Sequence, residues 1–152
     1  MISHVDVARW RLRSQLLVMP HATSAREVVR SLLAVQAENP GQAAWAVASR
    51  TANRDPDDLA ALLDDGTVVR THVLRPTWHF VAAEDLGWLL ELTGPRVRRV
   101  TGHQLRNSFG LDQRAVDRAV AAVVGALTDR GRLTRGQLAE EVREREIGRA
   151  HV

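Results

Sequence analysis

The sequence predicts a mainly α-helical chain carrying one small β-hairpin, and three observations predict it. Apolar residues recur at helical spacing through most of the chain, capping signals cut that pattern into separate helices, and residues 68 to 81 change to a period of two. Composition agrees with an ordinary globular class: 152 residues, 45% hydrophobic, 26% charged and without cysteine, so no disulfide scaffold is available. The apolar runs are too short for a membrane span, and residues 1–20 carry Arg9, Arg11 and Arg13 where a signal peptide needs an apolar block. The cytoplasm is the expected compartment.

The elements follow in order. Val5, Ala8, Leu12 and Leu16 give an amphipathic first helix that stops near Pro20. Ser24 and Glu27 form a capping box for a second helix bearing Val28, Val29, Leu32 and Leu33. Pro40 biases Asn39 away from helical dihedrals, so that helix is expected to end around Gln36 to Glu38. Gln42 to Ser49, with Trp45 and Val47, is a short third helix. Asp55 as N-cap, Pro56 at the first helical position, and Leu59, Leu62 and Leu63 ahead of Gly66 define a fourth. Val68 to Val73 and Thr77 to Val81 then alternate about a break at Arg75 and Pro76, which is a hairpin with Trp78 and Phe80 on one face and Thr77 and His79 on the other. Ala83 to Leu92 returns to helix, with Glu84 and Asp85 in its first turn, and is expected to close at Gly94 and Pro95.

Helices followed by a hairpin is the order of a winged helix-turn-helix, here residues 1–108. Residues 109–145 repeat its opening. Asp112 caps a helix with Val116, Ala119, Val120, Val123, Val124 and Leu127, ended by Gly131, and Thr134 with Gln137 forms a capping box ahead of Leu138 and Val142. This segment reads as the first helices of an incomplete second winged-helix unit. Residues 146–152, EIGRAHV, read as the translation of a sequencing-library adapter and are set aside from fold reasoning.

Charge placement says more than charge total. The pI is near 11.0, yet the excess is only +3, and with every basic residue an arginine and no Lys, Tyr or Cys, nothing titrates between histidine and arginine. Leu92 to Leu111 contains Arg96, Arg98, Arg99 and Arg106 and no acid, while Arg70 and Arg75 flank the hairpin turn, where a wing would reach a phosphate. Trp10, Trp45, Trp78 and Trp88 fall at apolar positions and are expected to pack. No metal site is expected, because His72 and His79 lie apart with no cysteine or paired carboxylate beside them.

Two segments carry a family resemblance. Leu33-Ala-Val-Gln-Ala-Glu-Asn-Pro-Gly41 and Val69-Arg-Thr-His-Val-Leu-Arg-Pro-Thr-Trp-His-Phe80 resemble the winged-helix DNA-binding family that includes the AlkZ-type DNA glycosylases. These enzymes unhook DNA interstrand crosslinks and remove alkylated purines. The similarity runs from residue 5 to about 145, the N-terminal part of chains that are normally over twice as long and add further winged-helix units and a C-terminal β-barrel. The resemblance implies duplex DNA as partner, no cofactor, and a catalytic motif of Gln, an apolar residue, then Gln or Asp. The matching positions are Gln36, Ala37 and Glu38. Glutamate keeps the carboxylate of the Asp version and lengthens it by a methylene. Thr77 and His79 match a Thr and His near the family's site, which implies a supporting role. On a regular helix Gln36 and Glu38 would point about 200° apart, so sharing one site requires the helix to be ending there.

Two other readings predict different behaviour. A non-catalytic winged-helix DNA-binding protein such as a transcriptional regulator would bind duplex DNA selectively without base loss. A protein-interaction module would use the apolar face of residues 112–128 for docking and show little affinity for DNA.

Overall fold

The computed structural model describes residues 2–19, 21–74 and 77–147, with side chains described up to Glu144. Seven helices and three strands follow in the order α1 (His4–Ser14), α2 (Ala25–Leu32), β1 (Val35–Gln36), α3 (Pro40–Ala48), α4 (Pro56–Asp64), β2 (Val68–His72), β3 (Trp78–Ala82), α5 (Ala83–Phe109), α6 (Gln113–Arg130) and α7 (Arg135–Ile147). The chain divides into two compact units, residues 1–98 and 99–152. No helix among the described residues is long and apolar enough to cross a membrane.

In the first unit the sheet order is β1-β3-β2, antiparallel throughout. Because β3 is the central strand, both of its faces are covered: His79, Phe80, Val81 and Ala82 are all buried. Phe80 joins Val28, Val29, Val47, Leu59 and Val68 in a core built from α2, α3 and α4. Val81 points the other way, into a second cluster with Val73 and Leu89 of α5. Alternation in β3 therefore separates two cores rather than core from solvent.

Local chemistry sets most helix starts. Asp55 accepts from the Asp57 N–H at 2.9 Å with Pro56 at the first position, and Asn39 accepts from Gln42 N–H at 3.1 Å ahead of α3. Ser24 accepts from Glu27 N–H at 3.2 Å, but the reciprocal bonds of Glu27 go one residue further back, to the N–H and hydroxyl of Thr23 at 2.7 and 2.8 Å. These bonds, the backbone one foremost, hold the Glu27 carboxyl below its ordinary value.

Four expectations are corrected. The first helix ends at Ser14, well before Pro20, because Leu16 takes a left-handed φ of 57° and Arg50 fastens the reversal by donating to the Gln15 carbonyl at 2.8 Å; none of α1 is buried. The second helix ends at Leu32, since pairing of Val35 and Gln36 with Phe80 and His79 captures the segment expected to continue it. Gly94 and Pro95 do not end α5. Pro95 gives up the bond to the Glu91 carbonyl, but the preceding turn is anchored by buried Leu89 and Gly94 and by the Thr93 hydroxyl, set against the carbonyls of Leu89 and Val73. The tryptophans do not pack away: exposure runs from 36% for Trp78 to 72% for Trp45.

The second unit holds the α6–α7 helix pair. Asp112 caps α6 through Ala115 N–H at 2.7 Å, Gly131 closes it at φ 74°, and Thr134 and Gln137 exchange both bonds of a capping box. Ala122 and Ala126 are buried, while Val120 and Val124 are 55% and 57% exposed. Helix α7 runs to Ile147, the second residue of the segment read as an adapter; residues 148–152 lie outside the described residues.

Candidate active site

The Gln36-Ala37-Glu38 tripeptide lies not on a helix end but on an extended segment at the edge of the sheet. Between α2 and β1, Leu33 takes φ 65° and ψ −49°, and Ala34 N–H donates to the Leu32 carbonyl at 2.8 Å. That is a γ-turn of the rare, strained kind, and it bends the chain from helix to strand within one residue. In an extended chain alternate side chains share a side. Ala37 is fully buried in the α2–α3–α4 core, so Gln36 and Glu38, both exposed, project together on the opposite side. The two-residue spacing that a helix would have split is thus the spacing that joins them.

The end of the β1–β3 ladder is built from side chains. Positions 37 and 78 stand opposite each other, and Ala37 N–H donates to the Trp78 carbonyl at 2.7 Å. The return bond of an antiparallel pair is absent. Instead the Glu38 Oε1 accepts from Trp78 N–H at 2.8 Å. The Ala37 carbonyl, so released, accepts from Arg70 Nε at 2.9 Å, and Arg70 Nη2 reaches the Glu38 carbonyl at 3.3 Å. The same guanidinium lies 4.4 Å from the centroid of the Trp78 ring, and the His72 ring sits 4.1 Å from it on a 42° tilt. Glu38 Oε2 has no protein partner among the described residues.

His79 is the cross-strand partner of Gln36 and is buried. Its Nδ1 lies 2.9 Å from the Thr77 carbonyl, which only accepts, so Nδ1–H is the donor in this bond. Thr77 therefore acts through its backbone. Its hydroxyl, like His72 Nδ1, is buried without a hydrogen-bond partner among the described residues.

The structure thus brings together Gln36, Glu38, Thr77 and His79. Arg70 does not flank the turn: it sits in the middle of β2 opposite Phe80 and folds back onto the motif. Arg75 lies outside the described residues. Arg96, Arg98, Arg99 and Arg106 are exposed on α5 with no acidic partner among the described residues. Trp78 and His72 are the residues that sequence reasoning left out of the site. Strand parity puts Arg70, His72 and Trp78 on the face of Ala37 and Phe80, opposite Gln36 and His79, so the link to the motif runs through its backbone carbonyls and the Glu38 carboxylate at the strand end and was not legible from alternation. Beyond Glu38, a hollow of about 530 Å³ on α3 is lined by Gly41, Gln42, Trp45 and Ala46. No group of three or more His, Cys, Asp or Glu side chains among the described residues is arranged to hold a metal ion.

A family model described as DNA glycosylase AlkZ-like matches residues 29–151, which include the whole of this site. The chain belongs to the AlkZ-like DNA glycosylase family. Among solved structures, the DNA glycosylase AlkZ of Streptomyces sahachiroi is similar with a TM-score of 0.75 and 29% identity, over 91% of this chain. This AlkZ-like chain spans 38% of the length of that structure. Comparison with curated proteins gives no match.

Proposed function

We propose that this chain carries the catalytic segment of a DNA glycosylase that hydrolyses the N-glycosidic bond of alkylated purines, or unhooks interstrand crosslinks, in duplex DNA. The observation that carries the reading is the shared outward side of Gln36 and Glu38, with one carboxylate oxygen left over after the bond to Trp78. Loss of an N-alkylated purine has a cationic leaving group, so acid assistance is minor. What the reaction needs is a negative group near C1′ as the C1′–N bond breaks and positive charge spreads over the sugar, and an acceptor for the proton of the water that attacks C1′. Glu38 Oε2 is suited to both tasks and Gln36 to holding the water or the sugar. His79 and the Thr77 carbonyl brace the strand beneath Gln36.

The exposed arginines Arg96, Arg98, Arg99 and Arg106 are the proposed phosphate contacts, each steepening the log-log salt dependence of binding by about 0.9. Helices α6 and α7 are read as the opening of a second winged-helix unit. The test is excision from duplex DNA carrying an N-alkylated purine. An intact chain of this family carrying this segment is expected to release the purine and leave an abasic site, and Glu38→Ala or Gln36→Ala to suppress release while DNA affinity holds. Unchanged excision in both variants would remove the assignment.

A further inference from the structure

We infer that Arg70 is a positioning residue, which holds the Gln36–Glu38 segment in its reactive geometry, and is not a phosphate contact. The inference rests on the glycosylase reading for its functional consequence, while its structural content stands on the bonds alone. When Glu38 takes the Trp78 N–H, the carbonyl of Ala37, a buried residue, loses its natural ladder partner. A carbonyl left there without a donor would reclaim the Trp78 N–H and expel the carboxylate. Arg70 prevents this by supplying Nε to the Ala37 carbonyl at 2.9 Å, and its Nη2 reaches the next carbonyl, that of Glu38, at 3.3 Å.

The guanidinium is suited to this for three reasons. Its planar fork offers separate donors to successive carbonyls, where an ammonium is a single point. Its position over the Trp78 ring, 4.4 Å to the centroid, fixes the plane of the fork. Its strand position opposite Phe80, one of the most completely buried side chains, gives the fork a rigid base. The consequence is a division of labour: Arg70 satisfies the backbone so that Glu38 can turn its carboxylate across the strand end and present Oε2 outward. A displacement of about 1 Å in such a segment costs on the order of 100-fold in rate.

Arg70→Lys and Arg70→Ala test this, with thermal unfolding as the check that each variant is folded. Single-turnover excision is expected to fall by about tenfold to 100-fold in both, with DNA affinity and the salt slope unchanged. Lysine keeps the charge, so a phosphate contact would behave oppositely: Arg70→Ala would lower the slope by about 0.9 and Arg70→Lys would restore both affinity and excision, which would overturn the inference. A second readout needs no activity. The Trp78 amide resonance is expected to shift on Glu38→Ala in the Arg70 background and to stay put in the Arg70→Ala background, where the carboxylate has already left. Equal shifts in both backgrounds would overturn the positioning role. Absence of excision by an intact chain carrying the unaltered segment would instead reject the glycosylase reading, and the amide comparison would still decide the role of Arg70.

Discussion

Strand β3, Trp-His-Phe-Val-Ala, and helix α6, rich in alanine and valine, both carry an apolar pattern, yet their fates differ. β3 buries four residues in succession, His79 to Ala82, because helices cover one face and α5 the other. α6 buries only Ala122 and Ala126 among its described residues and leaves Val120 and Val124 more than half exposed. The difference teaches that an apolar pattern states which face of an element seeks cover, while only the presence of a partner decides whether the face is covered.

The comparison can be broken at either end. Phe80→Ala removes one of the most completely buried side chains of the first unit and is expected to cost about 3 to 5 kcal/mol in urea unfolding; a loss under about 1 kcal/mol would mean that the β3 face is not close-packed in solution. Asp112→Ala removes the cap of α6 and is expected to cost about 1 kcal/mol, read as faster amide exchange at Ala115, whose N–H it holds at 2.7 Å. Unchanged exchange would show that α6 does not depend on its cap. Val124→Thr swaps a methyl for a hydroxyl on the bare face and is expected to stay within about 0.5 kcal/mol. A larger loss would place Val124 in a contact and erase the contrast with β3.

The same distinction governs what was legible in the sequence. Helix starts were, because a cap is a bargain among neighbours: Asp55 with Pro56, Asp112, and Thr134 with Gln137 all stand where the sequence places them. The hairpin was legible through its period of two. Strand β1 was not, since Val35 and Gln36 form a strand only because Phe80 and His79, more than forty residues on, accept them. Pro95 misled because tertiary anchoring outweighed one missing hydrogen bond. The motif residues are legible through family resemblance, and the bonds that hold the segment join Glu38 to Trp78 and Ala37 to Arg70, pairs that no local rule connects. The arginines show the limit most plainly, for Arg70 and Arg96 are chemically identical, and only the fold gives one a carbonyl and leaves the other facing water.

The bond from Trp78 N–H to Glu38 has a further consequence for the polarity of position 38. A carboxylate is symmetric: one oxygen serves the amide and the other remains an acceptor facing outward. A glutamine in the same place is not symmetric. The Trp78 amide draws the oxygen inward, which turns the NH₂ group outward and replaces an acceptor with a donor. A water beside Glu38 would be held by its hydrogen, leaving its lone pairs free, whereas a water beside glutamine would be held by a lone pair. An exchange that looks isosteric on paper would thus reverse the hydrogen-bond sense of the atom left over from the bond to Trp78.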